Sequence, residues 1–92
     1  MDENNFNIGL RIGLALKNIR EANSITQTKL AEVTGLPRSQ ISMMENGTRN
    51  QRINVEALRK AALFLGFSGL GELITWAEEK ITPESILEKL EN

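Results

Sequence analysis

From Ile8 to Ala22, apolar side chains fall at Ile8, Ile12, Ala15, Leu16 and Ile19, the rhythm of one helical face. Leu10 and Leu14 make a second apolar pair off that stripe. The same period recurs along the chain, and the strict alternation of a half-buried strand is absent, so the pattern predicts an all-α fold of six helices. Thr26 can cap the second helix through its hydroxyl, with Ile25 and Leu30 as a hydrophobic staple. That helix should finish near Thr34, because Gly35 can take the positive φ of a tight corner. Pro37 is suited to the first helical position of a third helix reaching about Asn46. Asn54 should cap a fourth, Val55 to Leu65, with Ile53 and Leu58 as its staple, Val55, Leu58, Ala62 and Leu65 turned inward, and Gly66 as its stop. Ser68 is placed to cap a fifth helix with Leu70, Leu73, Ile74, Ala77 and Ile81 as its stripe. Thr82 and Pro83 read as the start of a short sixth carrying Ile86, Leu87 and Leu90.

Helices two and three, separated by about three residues with glycine at the corner, make a helix-turn-helix over residues 26–46. The third helix opens with Arg38, Ser39 and Gln40 and contains the adjacent pair Met43 and Met44. At about 100° per residue, Arg38, Ser39, Ser42, Met43 and Asn46 share one face, while Ile41 and Met44 lie opposite. One methionine is thereby assigned to a core and the other to solvent or a partner.

Ninety-two residues suffice for one hydrophobic core, which predicts a single domain over 1–92 with a helical extension at 69–92. The absence of Cys and His excludes disulfides and thiolate metal sites and removes the commonest neutral-pH base, so no metal or cofactor is expected. No apolar run approaches the ~20 residues of a membrane span, and the start MDENNFN lacks the basic region of a secretory signal. A cytoplasmic protein is expected. The net charge of -1 conceals an asymmetry: residues 1–60 carry nine Lys/Arg against six acids, and residues 61–92 carry two against six. A basic working face and an acidic one are compatible with that division.

The elements Ile12-Gly13, Arg20, Thr26-Gln27, Leu30-Ala31, Gly35-Leu36, Ile41-Ser42, Glu45-Asn46-Gly47 and Leu65-Gly66 resemble the Cro/repressor-type (XRE-family) helix-turn-helix pattern, over roughly Ile12 to Ser68. The resemblance implies a lambda-repressor-like fold of about five helices, here with an added short C-terminal helix, and double-stranded DNA as ligand. It carries base reading to Arg38, Ser39 and Met43, joined on the helical wheel by Ser42. Arg38 can pair with guanine O6 and N7, or instead hold a phosphate; Ser39 can meet a base edge or cap the helix; Met43 can touch a thymine methyl or lie in a protein interface. It implies that Gln27 bonds a phosphate and braces the recognition helix, with Asn46, Thr48, Arg49, Asn50 and Arg52 placed to grip the backbone. It also implies a buried ion pair between Arg20 and Glu45. Pro37 and Thr34 depart from the family pattern, which more often has a hydroxyl cap and an aliphatic residue there.

A single module of this kind buries little groove surface, so a homodimer on a palindrome with half-sites about 34 Å apart is expected, acting as a repressor. Trp76, Ile86, Leu87 and Leu90 are the interface candidates, with packing inside the monomer as the alternative for each. The rival reading is an antitoxin or adaptor that masks a cognate toxin or other protein, using DNA for autoregulation; Leu10, Leu14 and Trp76 would suit such a surface, or could instead pack against the added C-terminal helix. An enzyme is disfavoured: Glu78 and Glu79 diverge on their helix, and no glycine-rich phosphate loop has the required spacing.

Overall fold

The computed structural model describes residues 8–47, 54–82 and 84. Among them are five helices and no strand: α1 (Ile8–Ala22), α2 (Gln27–Thr34), α3 (Arg38–Glu45), α4 (Val55–Phe64) and α5 (Leu70–Lys80). The expected sixth helix, with Ile86, Leu87 and Leu90, falls outside the described residues, as does the Ile53 staple. Each helix packs mainly on two others: α3 on α1 and α2, α4 on α2 and α5, and α5 also on α1. The resulting ring encloses one core built from Ile12, Leu14, Ala15, Leu16, Leu30, Ile41, Leu58, Ala61, Ala62, Leu73, Ala77 and Ile81. No described helix is long and apolar enough to cross a membrane.

Local chemistry fixes the helix ends. Thr26 caps α2 by accepting from the Lys29 backbone N–H at 3.0 Å, and Asn54 caps α4 by accepting from Ala57 at 2.9 Å. Gly35, at φ 80°, closes α2 with its N–H on the Ala31 carbonyl. Gly66, at φ 99°, ends α4: Phe67 N–H reaches the Ala62 carbonyl and Gly66 N–H the Leu63 carbonyl, the paired bonds of a Schellman motif. The same pair of bonds finishes α1, from Ile25 to Arg20 and from Ser24 to Glu21, but there Ser24 occupies the left-handed position at φ 58°.

Four expectations change. Pro37 is the N-cap of α3, not its first helical residue: its ψ of 147° is extended, and its carbonyl accepts the first bonds, from Gln40 and Ile41. The extended ψ carries the chain around the corner after Gly35. Ser68 does not cap α5; Gly69 occupies the N-cap, and the Glu72 carboxylate accepts from the Ser68 backbone N–H at 2.9 Å. Val55 is 60% exposed rather than in the core, because α4 turns its alanines inward, burying Ala57, Leu58, Ala61 and Ala62. Small residues allow the close approach to neighbouring helices that a β-branched side chain would prevent. Leu14, read as off the α1 stripe, is a core residue, and Leu10 packs partly buried against the same core, while Ile8 is exposed.

Candidate nucleic-acid interface

α3 has two unlike sides. Ile41 and Glu45 are buried and Met44 is partly buried against the core, whereas Arg38, Ser39 and Asn46 are exposed and Met43 is 43% exposed. Ser42 is half-buried, and the Asn46 amide donates to its hydroxyl at 3.4 Å, a marginal bond. The methionine pair is divided by helical geometry alone. One end of the helix therefore offers a guanidinium, two hydroxyls and a thioether on a surface the protein does not cover.

What holds that surface in place is a buried carboxylate. Glu45, 1% exposed, accepts from Arg20 Nε at 2.7 Å and Nη2 at 2.8 Å, the bidentate fork that suits guanidinium and carboxylate. Arg20 Nη1 donates to the Ile25 carbonyl at 2.8 Å, so one side chain ties α1 to the turn before α2 and to the end of α3. The hydrogen bonds to Glu45 raise the Arg20 pKa above its ordinary value, against the opposing effect of burial. A third contact completes the cluster: Gln27 Nε2 donates to Glu45 Oε1 at 3.1 Å.

Close backbone packing sets the same geometry from the other side. Gly13 lies where α1 crosses α3, and a Cβ there would run into the Met44 carbonyl oxygen and lie 2.8 Å from its carbon. Gly47, at φ 68°, leaves α3 with the Leu10 side chain filling the space beside it. Beyond the ion pair, Arg20, Thr26, Gln27, Thr28 and Arg38 line an open hollow between the starts of α2 and α3.

A family model described as Helix-turn-helix matches residues 16–73, more than half of the chain. The chain belongs to the Cro/C1-type helix-turn-helix family. No curated protein and no solved structure matches it significantly. As a Cro/C1-type helix-turn-helix protein it is a DNA-binding regulator whose ligand is double-stranded DNA. The matched segment contains α2 and α3 entire, together with the second half of α1, α4 and the first turn of α5.

The fold of this helix-turn-helix protein gathers some of the anticipated residues and separates others. Arg38, Ser39, Ser42 and Met43 share the outer side of α3, and Arg38 and Gln27 both line the hollow. Trp76 is half-buried on α5, edge-on to Phe67 at 6.5 Å between ring centroids, and packs against the core. Thr48, Arg49, Asn50 and Arg52 lie outside the described residues. Thr34, the other departure from the family pattern, is buried without an orphaned hydroxyl: Oγ1 donates to the Leu30 carbonyl at 2.9 Å and accepts from the Leu36 N–H at 3.3 Å. Sequence reasoning gave Gln27 a bracing role on α3 but not its partner Glu45, and it gave Gly13 no role of its own. The bond from Gln27 to Glu45 has no local signature, but Gly13 did have one, since glycine inside a strong helix costs about 1 kcal/mol and calls for a packing reason.

Proposed function

We propose that this regulator is a homodimeric repressor that places α3 in the major groove of each half of a palindromic operator. The reading is supported above all by the two-sidedness of α3, with Arg38, Ser39, Ser42 and Met43 outward and Glu45 clamped beneath them. In this reading Arg38 forks onto guanine O6 and N7, Ser39 and Ser42 meet base edges, and Met43 covers a thymine methyl. Gln27, Asn46, Thr48, Arg49, Asn50 and Arg52 grip phosphates on either side, supplying register and affinity without sequence information. The dimer forms through α5 and the C-terminal segment, with Trp76, Ile86, Leu87 and Leu90 between the protomers.

Binding to the protein's own promoter at a series of salt concentrations tests this reading. The log–log slope should be steeply negative, with about 0.9 contributed by each phosphate that is neutralised. Affinity independent of salt would defeat it. A second reading, an antitoxin or adaptor that binds a partner protein, draws support from the outward side of α4, where Val55, Leu63 and Phe64 are exposed. A stable one-to-one complex with the product of a neighbouring gene would favour it over the repressor.

A further inference from the structure

We propose that Met43 is a reversible oxidation site: a peroxide converts the Met43 thioether of the free protein to a sulfoxide, which keeps α3 off its operator until the sulfoxide is reduced. The inference rests on Met43 as a base-contacting residue and adds the modification that withdraws the contact.

Two adjacent sulfurs have unequal surroundings. The sequence has no cysteine and three methionines, so thioethers are the sulfur it offers to a two-electron oxidant. Met1 lies outside the described residues. Met44 packs partly buried against the core, whereas Met43 is 43% exposed, the large apolar side chain that α3 leaves to solvent. An oxidant has to reach the sulfur, so Met43 should react ahead of Met44. Its side of the helix also carries Arg38, Ser39, Ser42 and Asn46, while the carboxylate of α3, Glu45, is buried in its pairing with Arg20.

The peroxide alone balances the reaction. A sulfur lone pair attacks one peroxide oxygen; the S–O bond forms, the O–O bond breaks, and the departing oxygen takes up the peroxide proton and leaves as water or an alcohol. Sulfur gives up two electrons and the peroxide receives them. A flexible apolar group thereby becomes polar, with an oxygen that only accepts hydrogen bonds. Against thymine, that oxygen meets the C5 methyl, which offers no donor, and O4, which is itself an acceptor. Ser39, one turn earlier on the same side, has a hydroxyl that the new oxygen can engage, and a hydroxyl so engaged is taken from a base edge. Burying the sulfoxide unpaired should weaken each half-site about tenfold, and a two-fold dimer carries the loss twice, about 100-fold on the palindrome.

Operator affinity would be measured before and after treatment with hydrogen peroxide, for the wild type and Met43→Leu, with oxidation at each methionine read by peptide mass. The proposal expects the wild type to weaken about 100-fold once Met43 is oxidised, to keep its helical circular dichroism, and to recover with methionine sulfoxide reductases. The affinity of Met43→Leu, whatever its starting value, should not respond to peroxide. Unchanged wild-type affinity at complete Met43 oxidation would overturn the proposal and leave base reading standing. An equal loss in Met43→Leu would also refute it, placing the damage at another methionine. Oxidation in the presence of saturating operator separates the two claims: bound DNA should slow the reaction at Met43 several-fold relative to Met44. No protection there would remove Met43 from the groove, and the proposal with it.

Discussion

Replacing Arg20 by methionine leaves Glu45 in place with almost nothing to neutralise it. Two charge-assisted bonds, at 2.7 and 2.8 Å, disappear together with the bond to the Ile25 carbonyl. The carboxylate, 1% exposed, keeps only the Gln27 amide at 3.1 Å. Arg20 itself is 12% exposed at its side chain, so solvent screens the pair little. Breaking a buried pair from one side costs roughly 3 to 5 kcal/mol, because the surviving charge stays buried and uncompensated. A domain of this size has about 5 to 15 kcal/mol in all, so Arg20→Met should lose a large part of its stability. Arg20→Met/Glu45→Leu removes both charges and should be markedly more stable than Arg20→Met alone. Urea unfolding followed by helical circular dichroism, with slopes compared to confirm a common transition, gives all three free energies. If Arg20→Met cost under about 1 kcal/mol, or the double variant were no more stable than the single, the buried-clamp account would be refuted.

Other expectations concern backbone and partner contacts. Gly13→Ala drives a methyl into the Met44 carbonyl and should cost about 1 to 3 kcal/mol, seen as a fall in thermal midpoint; an unchanged midpoint would mean that α1 and α3 do not cross there closely. Ser24→Gly relieves an L-residue held at φ 58° and should raise stability by about 0.5 to 1 kcal/mol, with the urea midpoint as readout. Thr26→Ala removes the α2 cap and should cost about 1 kcal/mol in the same assay. Replacing operator thymines by uracil, one at a time, should weaken binding of the wild type at one position and not of Met43→Ala; indifference at every position would remove the methyl contact. Sedimentation of the chain cut before Thr82 should give a monomer, and a full-affinity dimer would discard the C-terminal segment as an interface.

The parts legible in the sequence are those decided over one or two turns. Thr26 and Asn54 needed only a neighbouring N–H to satisfy, and both caps are present. The division of Met43 from Met44 follows from helical rotation, since consecutive residues point about 100° apart. Choices made between helices were less visible. Val55 fits an apolar stripe on paper, yet the tight seam of α4 is made by Ala57, Ala61 and Ala62, whose value lies in lacking bulk. Ser24 has no side-chain signature for a left-handed position, and its conformation is imposed by the bonds that close α1. The burial of Glu45 beside Arg20 was implied by the family resemblance, but its bond to Gln27 joins residues eighteen apart and has no local pattern.

The central claim, that α3 reads DNA through its outer side, is tested most directly by selecting bound sequences from a random duplex library with the wild type and with Arg38→Ala. The account predicts an inverted repeat with half-sites about one helical turn apart, and the loss of a guanine preference at one position of each half-site in Arg38→Ala. No enriched sequence for the wild type, or the same motif with its guanine preference intact for the variant, would contradict it.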